Sequence, residues 1–282
     1  MKILYFGKPF SFTHIVAKKR FGPKHQYISK LTIIDIIDDL IKSRLYDTIG
    51  VVPAENTQAG MVYDTVDILV NDKFHKSNLA IQEELELSVK IYLLGHSKNL
   101  NNVKKVYSHE YPIKFFYDWI KTHLPNAVII KLSSTSEAAY HIRNEKNSVA
   151  LASKEAAEYY KIKILKRIQE TDKKNITKFY VISNKNFPRK IFKQLPAEKT
   201  SVVFSVKDKP GALCDVLTIL KNKGINLSRI ISRPHPKEIW QYVFLIEIDG
   251  GLHNIKVIQA LDELKKHTMS IYTIGSYYTL KF

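Results

Sequence analysis

Apolar residues fall either in short continuous runs or at three- and four-residue intervals, the two periods that distinguish strands from helices. KILYF (2–6) reads as a short buried strand, followed by the turn-like GKPFSFTH. From Ser29 to Tyr46, residues Leu31, Ile34, Ile37, Ile41 and Leu45 recur at helical spacing, predicting an amphipathic helix capped by Ser29. TIGVVP (48–53) is a run expected of a strand buried on both faces; it ends in AENTQAG, ahead of a helix carrying Val66 and Leu69. Residues 79–95 supply further strands, LSVKIYLLG the clearest. VKKVYSH (103–109) then leads into a helix with Pro112 in its first turn and Ile113, Phe116, Ile120 and Leu124 on one face. AVIIKL (127–132) predicts a buried strand, SSTSEAAYHI a helix, NSVALAS a strand, KEAAEYYKI a helix and FYVIS another strand. Alternating buried strands and helices argue an α/β fold.

Residues 184–200 are polar and hold two prolines, which is linker composition. Beyond them SVVFSV is a strand, and DKPGAL is a turn opening a helix with Leu213, Val216, Leu217 and Leu220, which Gly224 stops. INLSRIIS, WQYVFLIEIDG, HNIKVIQALDEL and SIYTIGSYY follow as strand, strand, helix and strand. This βαββαβ order is ferredoxin-like α+β.

Composition narrows the class. With 45% hydrophobic and 25% charged residues, the 282-residue chain suits a globular protein of two unequal domains. No apolar run has membrane-spanning length and MKILYFGKPF lacks a signal-like segment, so a cytoplasmic protein without a membrane partner is expected. The single Cys214 excludes an internal disulfide, and no Cys/His spacing suggests a metal. The net charge of +17 raises the question of nucleic acid, but the lysines are dispersed and only seven of the 44 basic residues are arginine. No nucleic-acid partner is expected; the positive field suits a small dianionic substrate.

Three stretches carry candidate chemistry. Glu55, Asn56 and Thr57 lie just past the carboxyl end of a buried strand, where open α/β sheets place ligands, or else form a turn that caps the next helix. Ser134 and Glu137 have capping-box spacing, and the same hydroxyl-rich helix start with Thr135 suits a carboxylate. In Asn175-Ile176-Thr177-Lys178-Phe179, alternation puts Asn175 and Thr177 on one face and Lys178 on the other.

NITKF resembles the N-x-T-R-F signature of prephenate dehydratases, with Lys178 in place of arginine. GVVPAENTQAG resembles the family's G-V-V-P-I-E-N-S-x-x-G. In the first loop Gly7, Ser11, Phe12 and Thr13 match G-P-x-G-T-F-S, while Lys8 and Phe10 replace proline and glycine. Ser108-His109 matches a family S-H pair, after which Tyr111 and Phe115 replace glutamines. Ser134 and Thr135 begin an S-T-x-x-A-A match. DKPGALCDVL and RIISRPHPKEIWQYVFLIEIDG are similar to the ACT domains attached to these enzymes, with Ile231 where the family has glutamate.

The resemblance implies a two-lobed, periplasmic-binding-protein-like catalytic domain over 1–183, with lobe one about 1–75 and 170–183 and lobe two about 76–169. A linker (184–199) and an ACT domain (200–282) would follow. It implies loss of water and carbon dioxide from prephenate to give phenylpyruvate for L-phenylalanine synthesis, without metal or organic cofactor. Thr177 would assist the leaving hydroxide, Lys178 would bind a carboxylate, and Glu55, Asn56 and Thr57 would orient the ring. Ser11, Ser108, His109, Ser134, Thr135, Asn175 and Phe179 would complete the substrate site. Phenylalanine is the implied effector, held by Gly211, Ala212, Leu213, Asn226, Leu227, Ser232, Arg233 and Pro234 in a homodimer or homotetramer. A non-aromatising prephenate decarboxylase and a catalytically impaired aromatic-amino-acid sensor are the alternatives.

Overall fold

The computed structural model describes residues 1–43, 47–96, 99–168, 174–235 and 241–282. The first lobe opens with β1 (Lys2–Phe6), α1 (Phe12–Phe21), β2 (Gln26–Lys30), α2 (Ile33–Lys42) and β3 (Thr48–Asn56). It continues with β4 (Gly60–Met61), α3 (Tyr63–Leu69), α4 (Asp72–Lys76) and β5 (Leu79–Ser88). The second lobe holds β6 (Ile91–Gly95), β7 (Lys105–His109), α5 (Glu110–Phe115), α6 (Tyr117–His123), β8 (Val128–Leu132), α7 (Thr135–Ile142), β9 (Ser148–Ala152), α8 (Lys154–Tyr160) and β10 (Lys163–Ile168). The chain returns to the first lobe in β11 (Ile176–Asn184). The C-terminal module then runs β12 (Lys199–Ser205), α9 (Ala212–Asn222), β13 (Leu227–Pro234), β14 (Tyr242–Asp249), α10 (Ile255–His267), β15 (Ser270–Tyr277) and β16 (Thr279–Lys281).

Among the described residues the strands form two sheets. The larger runs β13-β14-β12-β15-β5-β11-β3-β1-β2, with β16 on β5 and β4 on β3; the smaller runs β10-β6-β9-β7-β8. In the first lobe β1 pairs in parallel with β2 and β3, so α1 and α2 are crossover helices. Ile3, Ile49 and Val51 pack with α1, while Leu4 and Val52 pack with α2 on the other face. That double cover is why these strands read as unbroken apolar runs.

The helix expected over 29–46 is shorter and turned. Ser29 belongs to β2, and Thr32 caps α2 by accepting the Asp35 N–H at 3.1 Å. The buried stripe is Ile33, Ile36, Ile37 and Leu40, leaving Leu31, Ile34 and Ile41 exposed. Both stripes satisfy helical spacing because apolar residues sit side by side in LTIIDIIDDLI; contact with the sheet selects one. Gly50 permits it, since a Cβ there would come within 2.6 Å of Ile36. Leu45 lies outside the described residues.

The crossing to the second lobe falls at Val89–Lys90, not near residue 75, because β5 pairs with β11 along its length. LSVKIYLLG is therefore the end of one strand and the start of another in a different sheet. The Val89 N–H donates to the Asn175 carbonyl at 2.8 Å, tying the outgoing segment to the returning one. AVIIKL is not a buried strand: β8 is the edge of the smaller sheet, and Val128 is 63% exposed. The stripe Ile113, Phe116, Ile120 and Leu124 is buried as expected, though the helix breaks at Phe116 into α5 and α6.

Residues 184–199 are largely exposed but anchored at two points. Phe187 and Phe192 are buried in the core beneath α1, and the Ile191 carbonyl accepts from Arg20 at 3.1 Å. In the C-terminal module α9 and α10 cover Val202, Phe204, Ile246 and Ile248 on one face of the sheet. The other face, with Val203, Val243, Leu245 and Ile274, joins the first-lobe core around Leu69 and Phe74. β15 reaches β5 at Gly275, where a Cβ would lie 2.7 Å from the Ile81 carbonyl oxygen. The predicted strand start at Trp240 lies outside the described residues.

Candidate active site

The carboxyl end of β3 and the amino end of β11 meet antiparallel, Asn56 opposite Thr177 and Glu55 opposite Lys178. Strand alternation sends these two pairs to opposite faces of the sheet. On the face shared with Phe179, Val181 and α1, Asn56 is the hub. Its Oδ1 accepts the N–H groups of Gln58 at 2.9 Å and Ala59 at 2.8 Å, which fixes the amide orientation. Its Nδ2 therefore donates to Asn175 Oδ1 at 2.7 Å and to Thr177 Oγ1 at 2.8 Å. Because the Thr177 oxygen accepts here, its own proton remains free to be donated elsewhere. Thr57 has no such freedom: its hydroxyl donates to the Lys174 carbonyl at 2.8 Å and accepts the Ile176 N–H at 3.0 Å, stapling the start of β11.

The opposite face turns toward the C-terminal module. Glu55 accepts from Arg229 of β13 at 2.5 Å, and the same guanidinium donates to the Tyr180 hydroxyl at 2.6 Å and lies 3.5 Å from Glu247. Burial pushes the Glu247 carboxyl up, but Arg229 and Lys199 outweigh it and hold the group below the ordinary carboxylate range. Lys178 stands between Glu55 and Glu86 on neighbouring strands of this face. Lys178 thus points away from Thr177, as alternation requires, and Glu55, which the resemblance groups with Thr177 in one site, lies with Lys178 on the other face of the sheet.

The loop after β1 faces the second lobe. Ser11 caps α1, accepting the His14 N–H at 3.4 Å and donating to the Phe6 carbonyl at 3.2 Å. Phe10 stands at φ 66°, and its N–H donates to His14 Nδ1 at 2.9 Å. Burial, with a smaller contribution from Lys18, pushes the His14 imidazole down to about 4, so it is neutral at pH 7 and accepts that bond. From this loop two side chains cross to the second lobe. Lys8 pairs with Glu137 at 2.5 Å, and the Phe10 ring stacks on Tyr159 with centroids 4.1 Å apart.

Ser134 caps α7 as expected, accepting the Glu137 N–H at 3.1 Å, and Thr135 is buried at the first helical position. The Glu137 carboxylate returns to the Ser133 N–H at 3.0 Å, one residue short of the usual box, and also holds Lys8. His109 caps α5 and its ring lies tilted against Tyr111, and burial pushes its imidazole down. Ser108 is fully buried and donates to the Leu151 carbonyl at 2.8 Å, so it is scaffold; Phe179, in the core of the first lobe, is scaffold too. A depression of about 590 Å³ lined by Asn101, Asn126 and Asn147 lies at the amino ends of β7 to β9, away from this constellation. Among the described residues no group of His, Cys, Asp or Glu is arranged to hold a metal ion, and no helix is long and apolar enough to cross a membrane.

The family model for prephenate dehydratase matches residues 3–187, the segment that carries both lobes, and the ACT-domain model matches residues 200–266. The chain belongs to the prephenate dehydratase family. A bifunctional chorismate mutase/prephenate dehydratase of Aquifex aeolicus is 35% identical, covering 98% of this chain and 73% of that protein. A prephenate dehydratase of Methanocaldococcus jannaschii is 34% identical, covering 90% of this chain and 95% of that protein. Two solved structures share the fold across 99% of the chain. A prephenate dehydratase from Arthrobacter aurescens in complex with L-Phe has a TM-score of 0.85, 24% identity and 90% of its chain covered. GqqA, described as a quorum quenching acylase, has 0.82, 25% and 98%.

In the ACT module the expected effector residues fall into separate places. Gly211, at φ 82°, precedes α9, with Ala212 buried and Leu213 half-buried. Asn226, which donates to Asp249 at 2.7 Å, and Leu227 lie beyond the helix's other end. Eleven helical residues separate these two groups by about 16 Å. At the end of β13, Ser232 and Pro234 are exposed, while Arg233 is held by Asp67 of α3 through bonds of 2.5 and 2.8 Å. Sequence reasoning missed Arg229, Lys8 and His14. Lys8 carried a signal as a departure from the family loop; Arg229 and His14 carried none.

Proposed function

We propose that this chain is a prephenate dehydratase, converting prephenate to phenylpyruvate, carbon dioxide and water. The reaction breaks the bond between the ring and its carboxylate. Those electrons pass through the cyclohexadiene, aromatise it and expel the ring hydroxyl, which leaves as water once it takes up a proton. The change is internally redox-neutral, and aromatisation drives it, so the chemistry calls for no cofactor. The protein supplies a proton donor for the leaving oxygen and positive or N–H groups for two carboxylates.

The observation that carries this reading is the Asn56–Thr177 bond. An amide donating to the Thr177 oxygen keeps the hydroxyl proton directed outward and strengthens it as a donor, which a lone threonine in water is not. The N-terminus of α7 with Ser134 and Thr135 offers N–H groups to a carboxylate, and Lys8 brings a cation to the same junction. Lys178 is assigned to balancing Glu55 and Glu86 instead of touching substrate.

Phenylalanine is proposed as the effector. Because the two halves of the expected site stand at opposite ends of α9, a complete site requires a second copy, and a homodimer or homotetramer in the cytoplasm fits that need. The test is to incubate purified protein with prephenate and follow phenylpyruvate by its enolate absorbance at high pH. Formation that is lost in Thr177→Ala is expected. Consumption without phenylpyruvate would replace this reading with a non-aromatising decarboxylation, and no consumption would leave a binding protein.

A further inference from the structure

We infer that Arg229 is a positioning residue for the active site: by holding Glu55 it fixes the end of β3, and so the Asn56–Thr177 pair on the other face. The inference rests on the dehydratase reading for its kinetic arm only. Its ground is a row of alternating charges that runs through the sheet shared by the ACT module and the first lobe. Glu84 of β5 takes Lys199 of β12 at 2.7 Å; Lys199 lies 3.3 Å from Glu247 of β14; Glu247 lies 3.5 Å from Arg229 of β13; and Arg229 takes Glu55 of β3 at 2.5 Å. Glu84 and Glu247 have almost no exposure, and the Arg229 side chain is 9% exposed.

Glu84, Glu247 and Arg229 hold fixed geometry, because any of them that loses its partner is left buried and unpaired; Glu55, whose side chain is 34% exposed, is held through the buried guanidinium. Arg229 is the member that leaves the ACT module. It donates to Tyr180 of β11 as well as to Glu55 of β3, so one guanidinium grips both strands that carry the site. Glu55 and Asn56 are consecutive, and Lys178 opposite Glu55 is consecutive with Thr177. A shift of the Glu55 backbone therefore moves the Asn56 amide relative to the Thr177 hydroxyl. A second arginine of β13, Arg233, docks on Asp67 of α3, and that ion pair involves no residue of β3 or β11. The two contacts separate positioning from general docking.

The experiment compares wild type, Arg229→Gln, Arg229→Lys, Glu55→Gln, the Arg229→Gln/Glu55→Gln pair and Asp67→Asn, all below their unfolding transitions. Amide hydrogen exchange at Thr57, Gln58 and Ala59, whose N–H groups bond to Ile176 and Asn56, is expected to accelerate at least tenfold in Arg229→Gln and to stay within twofold in Asp67→Asn. The kcat for phenylpyruvate is expected to fall at least tenfold in Arg229→Gln with KM changed less, to recover partly in Arg229→Lys, and to fall no further in the double variant than in either single one. Unchanged exchange and kcat in folded Arg229→Gln would overturn the inference. So would an equal loss in Asp67→Asn, which would assign the effect to docking as a whole. Wild type without dehydratase activity would refute the proposed function and leave the exchange measurement to decide this inference.

Discussion

Replacing Asn56 by aspartate changes one NH2 to an oxygen and leaves the shape of the site intact. In the native site the amide accepts two N–H bonds from Gln58 and Ala59 and donates to Asn175 and Thr177. The substituted carboxylate would keep both accepted bonds but could donate none. Thr177 would then turn its proton inward to the carboxylate, and Asn175 would turn its amide to do the same. Each hydrogen bond is worth roughly 0.5–1.5 kcal/mol net, and the two that are lost are largely replaced, so the stability change is about 1 kcal/mol. In a domain of this size that is a few degrees in Tm at most, roughly 2–4 °C per kcal/mol. Catalysis fares differently, because the proton needed by the leaving hydroxyl is now engaged. General-acid assistance contributes roughly 10²- to 10⁴-fold, so kcat falls at least about a hundredfold. Steady-state phenylpyruvate formation gives kcat and KM separately, and calorimetry gives the Tm. In the Asn56→Asp background, Thr177→Ala should add little, since both changes remove the same proton. A kcat within threefold of wild type in a folded Asn56→Asp protein would refute the assignment of Thr177 as proton donor.

Other outcomes follow from the same geometry. His14, neutral through burial, has its folded pKa lowered to about 4 against an unfolded value of about 6.5, so the unfolded state takes up the proton first as pH falls. Its stabilising contribution, about 3 kcal/mol when complete, is present above about pH 6.5 and is lost on acidification toward pH 4. His14→Asn, which keeps an acceptor for Phe10, should flatten the Tm-versus-pH curve there; an unchanged slope would remove His14 as the cause. Phe10→Gly relieves about 1–2 kcal/mol of left-handed backbone strain, but loses an aromatic stack worth about 0.5–1.5 kcal/mol and adds about 0.5–1 kcal/mol of unfolded-chain entropy. Denaturant titration should place it within about 1 kcal/mol of wild type, and a loss above about 3 kcal/mol would show that the ring's burial dominates. Lys178→Arg should leave KM within twofold, because the cross-strand neighbours of residue 178 are Glu55 and Glu86; a several-fold fall in KM would restore direct contact with substrate.

What the sequence determined was everything set by local period and local chemistry. Alternation placed Asn175 and Thr177 together and Lys178 opposite, and that held in the structure. Runs covered on both faces announced β1 and β3, and the βαββαβ order announced a ferredoxin-like C-terminal module. The motif spacing identified the family, since five ordered matches and an ACT segment do not arise from composition. The tertiary structure decided what lies across each face. A strand pattern states that Glu55 and Asn56 point apart but not which side holds the lobes' junction and which the ACT sheet, because that depends on strands more than a hundred residues away. It also chose the stripe of α2, made β8 an edge, and moved the lobe crossing to Val89, where a continuous apolar run hides a change of sheet. Arg229 was illegible for the same reason: in sequence it is one arginine in SRIIS, and only the sheet that joins β13 to β3 through β14, β12, β15, β5 and β11 brings it to Glu55.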